Sequence, residues 1–134
     1  VTLVIDASLV VSALVDAGDT GRWAESLLVS GPLSAPHLMP VEVTNILRRA
    51  AARGEITPDV ASMAHADLLD LRAELFPYAP FAARVWELRD NVTSYDAWYV
   101  ALAEFLGSNV ATLDHKMAQA PGPRCGFRTP PATT

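Results

Sequence analysis

Short aliphatic segments alternating with helix signals decide most of what this chain can fold into. Thr2 to Ile5 is too apolar to be a strand with one face in water. It reads as a central parallel strand covered on both sides. Leu33 to Ala35 supplies a weak second strand, Leu75 to Tyr78 a third, Val110 to Leu113 a fourth and Cys125 to Arg128 a last edge strand. Between them, Ser8 is expected to cap a helix from Leu9 to Val15 that ends at Gly18. A second helix spans Thr20 to Ser30. Pro40 opens a long third one through Arg53, and Thr57-Pro58-Asp59 starts a fourth that reaches about Glu74. Phe81 to Asp90 is expected helical with Val85, Trp86 and Leu88 inward. Ser94 caps Tyr95 to Leu106, and a short helix follows from Asp114 to Ala120. This alternation implies an α/β fold: a parallel sheet with helices on both faces. One domain is expected over residues 1–128, with a Pro/Thr-rich tail at 129–134 expected to fray.

Composition narrows the function classes. Of 134 residues, 51% are hydrophobic and 19% charged, so a disordered chain is excluded. No apolar run reaches the roughly 18–20 residues needed to span a bilayer. The N-terminal stretch lacks a basic leader and carries Asp6 inside its apolar run, so it reads as core rather than signal. A lone cysteine, Cys125, suits a reducing compartment, and a cytoplasmic protein with no membrane partner is expected. The net charge of −5 argues superficially against a nucleic-acid substrate. Setting aside Asp6, Glu42, Asp96 and Asp114 leaves 11 acids against 10 basic residues, so the excess is concentrated in those four.

Each of the four has a structural use. Asp6 and Asp114 could cap the turns that follow them, and Glu42 and Asp96 sit in first helical turns, where the macrodipole favours a carboxylate. Their joint placement points elsewhere. Asp6 and Asp114 each terminate an apolar strand, and Glu42 opens the helix after the second strand. All three therefore belong to the carboxyl edge of the sheet, where α/β folds bind ligands. Converging carboxylates raise one another's pKa values, and a hard divalent cation relieves that repulsion. Carboxylates with water suit Mg²⁺ or Mn²⁺, and no Cys/His cluster offers a zinc site. Asp6-Ala7-Ser8-Leu9 follows the first strand where a dinucleotide fold needs glycines, and the only lysine, Lys116, is not in a phosphate-binding loop. Ser8 stands where an aspartyl-phosphate phosphatase has a second acid, and Tyr78 where a phosphorelay receiver has its phosphoacceptor.

Four segments in this order resemble the PIN-domain nucleases and, within them, the VapC-type toxins of bacterial toxin–antitoxin pairs. They are Val4-Ile5-Asp6-Ala7-Ser8; Pro40-Val41-Glu42-Val43 with Asn45-Ile46-Leu47-Arg48-Arg49; Thr93-Ser94-Tyr95-Asp96-Ala97-Trp98-Tyr99-Val100-Ala101-Leu102-Ala103-Glu104; and Thr112-Leu113-Asp114. The family pattern often has an arginine after the fourth acid, whereas His115-Lys116 stand here. The resemblance implies a three-layer α/β/α sandwich on a five-stranded parallel sheet, with the acids around one or two Mg²⁺ or Mn²⁺ ions. It also implies endonucleolytic cleavage of cellular RNA, a VapB-type antitoxin, a homodimer and a higher toxin–antitoxin complex.

On this reading Asp6 and Asp96 hold one metal, with Glu42 and Asp114 in reach. Water rather than the ribose 2′-OH attacks, leaving 5′-phosphate and 3′-hydroxyl ends. Ser8 and Thr112 are expected to orient the carboxylates from outside, or simply to cap and close the strand ends. Arg48, Arg49 and Arg53 either complement the end of their helix or contact RNA phosphates. Trp23, Trp86, Trp98 and Tyr99 read as core or dimer-interface aromatics. His37, His65 and His115 share no metal-binding spacing. The antitoxin would lie over the early helices, where Val10, Val11, Leu14, Leu27 and Leu28 serve core and groove alike. A PIN nuclease of RNA processing or decay, a catalytically silent PIN module and a DNA nuclease using the same metals are the alternatives.

Overall fold

The computed structural model describes residues 2–132. Five short parallel strands form one sheet: β1 (Leu3–Ile5), β2 (Leu33–Pro36), β3 (Ala73–Phe76), β4 (Val110–Ala111) and β5 (Phe127–Arg128). Their spatial order is β3-β2-β1-β4-β5. Seven α-helices among the described residues connect them: α1 (Ala7–Val15), α2 (Asp19–Leu28), α3 (Met39–Ala52), α4 (Pro58–Asp70), α5 (Ala82–Glu87), α6 (Ser94–Leu106) and α7 (His115–Gln119). A 3₁₀ turn at Ala79–Phe81 leads into α5.

The chain leaves β1 toward β2 and β3, then returns to build β4 and β5 on the other side. Parallel crossovers are right-handed, so this reversal sends the earlier helices to one face and the later ones to the other. The result is the three-layer α/β/α sandwich expected from the alternation of elements. β1 sits at the centre, with Val4 and Ile5 fully buried; Val110 and Ala111 of β4 are equally so. α6 lies against β1, β2 and β4, and its run from Ala97 to Ala103 is buried except at Trp98, which is half-buried. Three small residues in that run, Ala97, Ala101 and Ala103, let it approach the strands closely.

Several boundaries depart from the expectations. Asp6, not Ser8, caps α1, its Oδ1 accepting from the Leu9 N–H at 3.0 Å, and the helix ends at Asp16 rather than Gly18. Thr93, not Ser94, caps α6. In both cases the capping oxygen lies three residues before the amide it accepts from, which is the spacing a helix start requires. α4 stops at Asp70 and β3 begins at Ala73, two residues before the expected Leu75. No glycine or proline marks that boundary; pairing of Glu74 with Ser34 of β2 sets it. Trp86, expected inward, is 66% exposed, with the Arg89 guanidinium 4.5 Å above its ring. Val85 of the short α5 and Leu88, which ends it, already fill the inward face.

Val10 and Leu27 are core, while Val11, Leu14 and Leu28 are half-buried against it. Thr129 and Pro130 are half-buried and lack regular secondary structure, whereas residues 133–134 of the expected frayed tail lie outside the described residues. At the other edge, Arg84 grips both oxygens of Glu104 (2.7 and 3.1 Å) and the Gly122 carbonyl (2.9 Å). Glu104 also accepts from the Arg124 N–H at 2.7 Å, which ties the loop before β5 to α6.

The turn between α1 and α2 is closed by contact rather than by length. A Cβ on Gly21 would lie 1.8 Å from the Asp16 carbonyl oxygen. Gly21→Ala therefore forces α2 away from α1, with an expected loss of about 3 kcal/mol or more in chemical denaturation. A loss below about 1 kcal/mol, as for a propensity change alone, would contradict this contact.

Candidate active site

Strand order reverses between β1 and β4, and the carboxyl ends of the strands at such a reversal are where α/β sheets take ligands. Four carboxylates reach this edge from four elements. Asp6 follows β1 directly. Glu42 lies in the first turn of α3, Asp96 in the first turn of α6, and Asp114 caps α7 through the Lys116 and Met117 N–H groups. The helix that enters β4 runs against the strand direction, so its N-terminus and Asp96 come to the same edge as the strand ends.

Asp6 is the most tightly held. Only 6% of it is exposed. Its Oδ1 accepts from Ser8 Oγ at 2.7 Å as well as from Leu9, and its Oδ2 accepts a short hydrogen bond from Thr112 Oγ1. Thr112 is fully buried, and its Oγ1 in turn accepts the Asp114 N–H at 2.9 Å. Ser8 Oγ accepts the Leu113 N–H at 3.1 Å. Both hydroxyls therefore do more than close strand ends: they join the end of β1 to the β4–α7 corner through one carboxylate.

The electrostatics show the acids acting on one another. Burial raises Asp6 above its ordinary range, and Glu42 adds to that, against the hydrogen bonds of Thr112, Leu9 and Ser8. Burial likewise raises Glu42, with a contribution from Asp96, while a hydrogen bond from Tyr99 opposes it. Asp96 is pushed up to about 6 by burial and by the Asp114 and Asp6 carboxylates. Among the described residues, none of the four forms an ion pair with an arginine, lysine or histidine. This is negative charge without a protein counter-charge.

Oxygen-only donors of this kind fit a hard divalent cation and not a zinc-type site. No three His, Cys, Asp or Glu side chains among the described residues form a ready-made ligand group.

Arg48, Arg49 and Arg53 are exposed at the far end of α3, with Arg48 on Asn45 and Arg53 near Glu55. They stand six, seven and eleven residues beyond Glu42, about 9, 10 and 16 Å along a helix axis, and among the described residues none of them pairs with the four acids. Sequence reasoning missed Tyr99, which it placed among core aromatics. Tyr99 is buried, and its hydroxyl donates to Glu42 Oε1 at 2.5 Å. The three-residue step from Asp96 to Tyr99, which puts both on one helix face, was the available signal.

Asp6, Glu42 and Asp96 hold their protons more tightly in the folded chain than in the unfolded one. Folding thus takes up protons, and the metal-free protein gains stability as pH falls. For Asp96 that gain is fully present below its ordinary 3.8 and is lost as pH rises through about 6. Glu104 acts oppositely. Arg84 and the Arg124 N–H outweigh its burial and hold it below its ordinary 4.5, so its stabilisation fades only at lower pH. The melting temperature of metal-free protein should rise between pH 7.5 and 5. Asp96→Asn should raise it at pH 7.5 by about 4 °C, the equivalent of about 1 kcal/mol after allowance for partial exposure. A melting temperature that falls over that interval would show that the acids are not in conflict.

The PIN-domain family model matches residues 3–123. Ribonuclease VapC1 of Mycobacterium tuberculosis is 41% identical over 126 residues, covering 93% of this chain and 95% of that protein. Ribonuclease VapC9 of the same organism is 32% identical over 129 residues, covering 96% and 98%. Among solved structures, PAE2754 from Pyrobaculum aerophilum superimposes with a TM-score of 0.73 at 20% identity, over 96% of this chain and 83% of that one, a likeness of fold. The domain match and the near full-length identity to VapC1 show that this chain belongs to the PIN-domain family, on its VapC ribonuclease branch.

Proposed function

We propose that this VapC-family chain is the toxin of a toxin–antitoxin pair, hydrolysing cellular RNA at the edge formed by Asp6, Glu42, Asp96 and Asp114. The observation that carries this reading is the meeting of four carboxylates without a counter-charge at the strand-order reversal. A divalent cation, Mg²⁺ or Mn²⁺, held chiefly by Asp6 and Asp96, would supply the Lewis acidity that activates water and balances charge on the scissile phosphate.

The chain's own contribution is orientation. Ser8, Thr112 and the Leu9 N–H hold the Asp6 carboxylate in one attitude before any ligand arrives. Its geometry therefore need not be ordered during binding. Asp96, raised to about 6, remains largely ionised at neutral pH and is available as a donor. Arg48, Arg49 and Arg53, exposed at the far end of α3, suit contacts to RNA phosphates away from the cleaved bond. A VapB-type antitoxin and a second copy of the chain complete the set of partners, as the VapC branch implies.

Asn caps helices as well as Asp does, so Asp6→Asn should fold normally. Because even outer hydrogen-bond partners of metal sites are worth about 10–100-fold, losing a carboxylate ligand should lower RNA cleavage by more than about 100-fold. Asp96→Asn should do the same, and Thr112→Val should cost about 10-fold. Chelation should abolish activity, with Mn²⁺ restoring it. Mapping of 5′-phosphate ends in cells after induction, wild type against Asp6→Asn, tests the whole reading. Undiminished cleavage by Asp6→Asn, or cleavage that survives chelation, overturns it.

A further inference from the structure

Tyr99 is the bulkiest of the almost wholly buried side chains, at 1% exposure. A phenylalanine would fill most of that space without a polar atom to satisfy. A tyrosine is retained there at the cost of finding its hydroxyl a partner. The partner is not a backbone carbonyl but Glu42 Oε1, at 2.5 Å and 57 residues away in sequence. Glu42 stands on a flexible side chain whose rotamer freedom is costly to quench. Its Oε1 is anchored, and among the described residues Oε2 accepts no hydrogen bond. Tyr99 also shares a face of α6 with Asp96, so the bond ties two of the four acid-bearing helices together at the site.

We infer that Tyr99 is a positioning residue: by pinning Oε1 of Glu42 it presets the other carboxylate oxygen for a divalent cation. This rests on the reading of Glu42 as a ligand to that cation. Partners of this outer kind fix ligand orientation and are typically worth about 10–100-fold in metal affinity.

The test is Mn²⁺ binding to the metal-free full chain without RNA, read from the loss of the free-Mn²⁺ electron paramagnetic resonance signal. Tyr99→Phe should bind about 10-fold more weakly, and the double variant with Glu42→Gln no more weakly than Glu42→Gln alone. In RNA cleavage, the loss in Tyr99→Phe should shrink as Mn²⁺ is raised, with KM for RNA unchanged. Wild-type Mn²⁺ affinity in Tyr99→Phe, beside weakened binding in Glu42→Gln, overturns the positioning role. Unweakened binding in Glu42→Gln as well removes Glu42 from the ligand set and overturns the underlying reading. Should Tyr99→Phe not fold, the hydroxyl proton of Tyr99 in the wild-type protein decides by nuclear magnetic resonance. Its signal should persist when Mg²⁺ saturates the protein, and its disappearance overturns the inference.

Discussion

The Asp6 carboxylate is the point on which sheet, helix and site all depend. One oxygen starts α1; the other receives the hydroxyl of Thr112 from the neighbouring strand end. Ser8 joins the same oxygen that caps the helix and passes the connection on to the Leu113 N–H. Few buried groups are asked to do so much, and burial makes the charged form costly. The hydrogen bonds offset part of that cost. The rest is relieved only by a proton or by a cation, which places the demand for a ligand in the centre of the fold rather than on its surface.

The other acids extend that logic outward. Glu42 and Asp96 are half-buried and influence each other, and Asp114 closes the set while capping α7. A carboxylate that caps a helix contributes to stability in the absence of any ligand. Asp6 and Asp114 therefore have two uses that coexist: the capping role expected of each from its position is real, and it does not compete with the placement of both at one edge. Far from this edge, the Arg84–Glu104 pair is a contrasting solution. There the carboxylate has its counter-charge within the chain, and its pKa moves down instead of up.

The layers and the candidate site were largely legible in the sequence, for reasons that differ by element. β1 is an unbroken aliphatic run, so its central position follows from having no face suited to water. Asp6, Glu42 and Asp114 could be assigned to one edge because each follows a strand or opens the helix after one; Asp96 opens a helix that leads into a strand, and the fold itself brings it there. What could not be read were features settled by distant partners. β3 takes its register from β2, with no local stop signal in Leu71-Arg72. Trp86 is turned out because Val85 and Leu88 already occupy the inward side. Tyr99 looked like core, and it is core; its bond to Glu42 joins α6 to α3 and leaves no local trace beyond helical spacing.

The bond between Thr112 and Asp6 spans 106 residues of chain. Polypeptides are made from the N-terminus and fold progressively as they emerge. The first carboxylate of the site is therefore available early, but its clamp and the fourth acid arrive only with β4 and α7. Throughout most of its own synthesis such a chain lacks the full set of site residues, and the Thr112–Asp6 contact closes the longest loop among the site's hydrogen bonds, with the largest closure entropy. The helices α1 to α3 are therefore made before the segment that closes the site around Asp6.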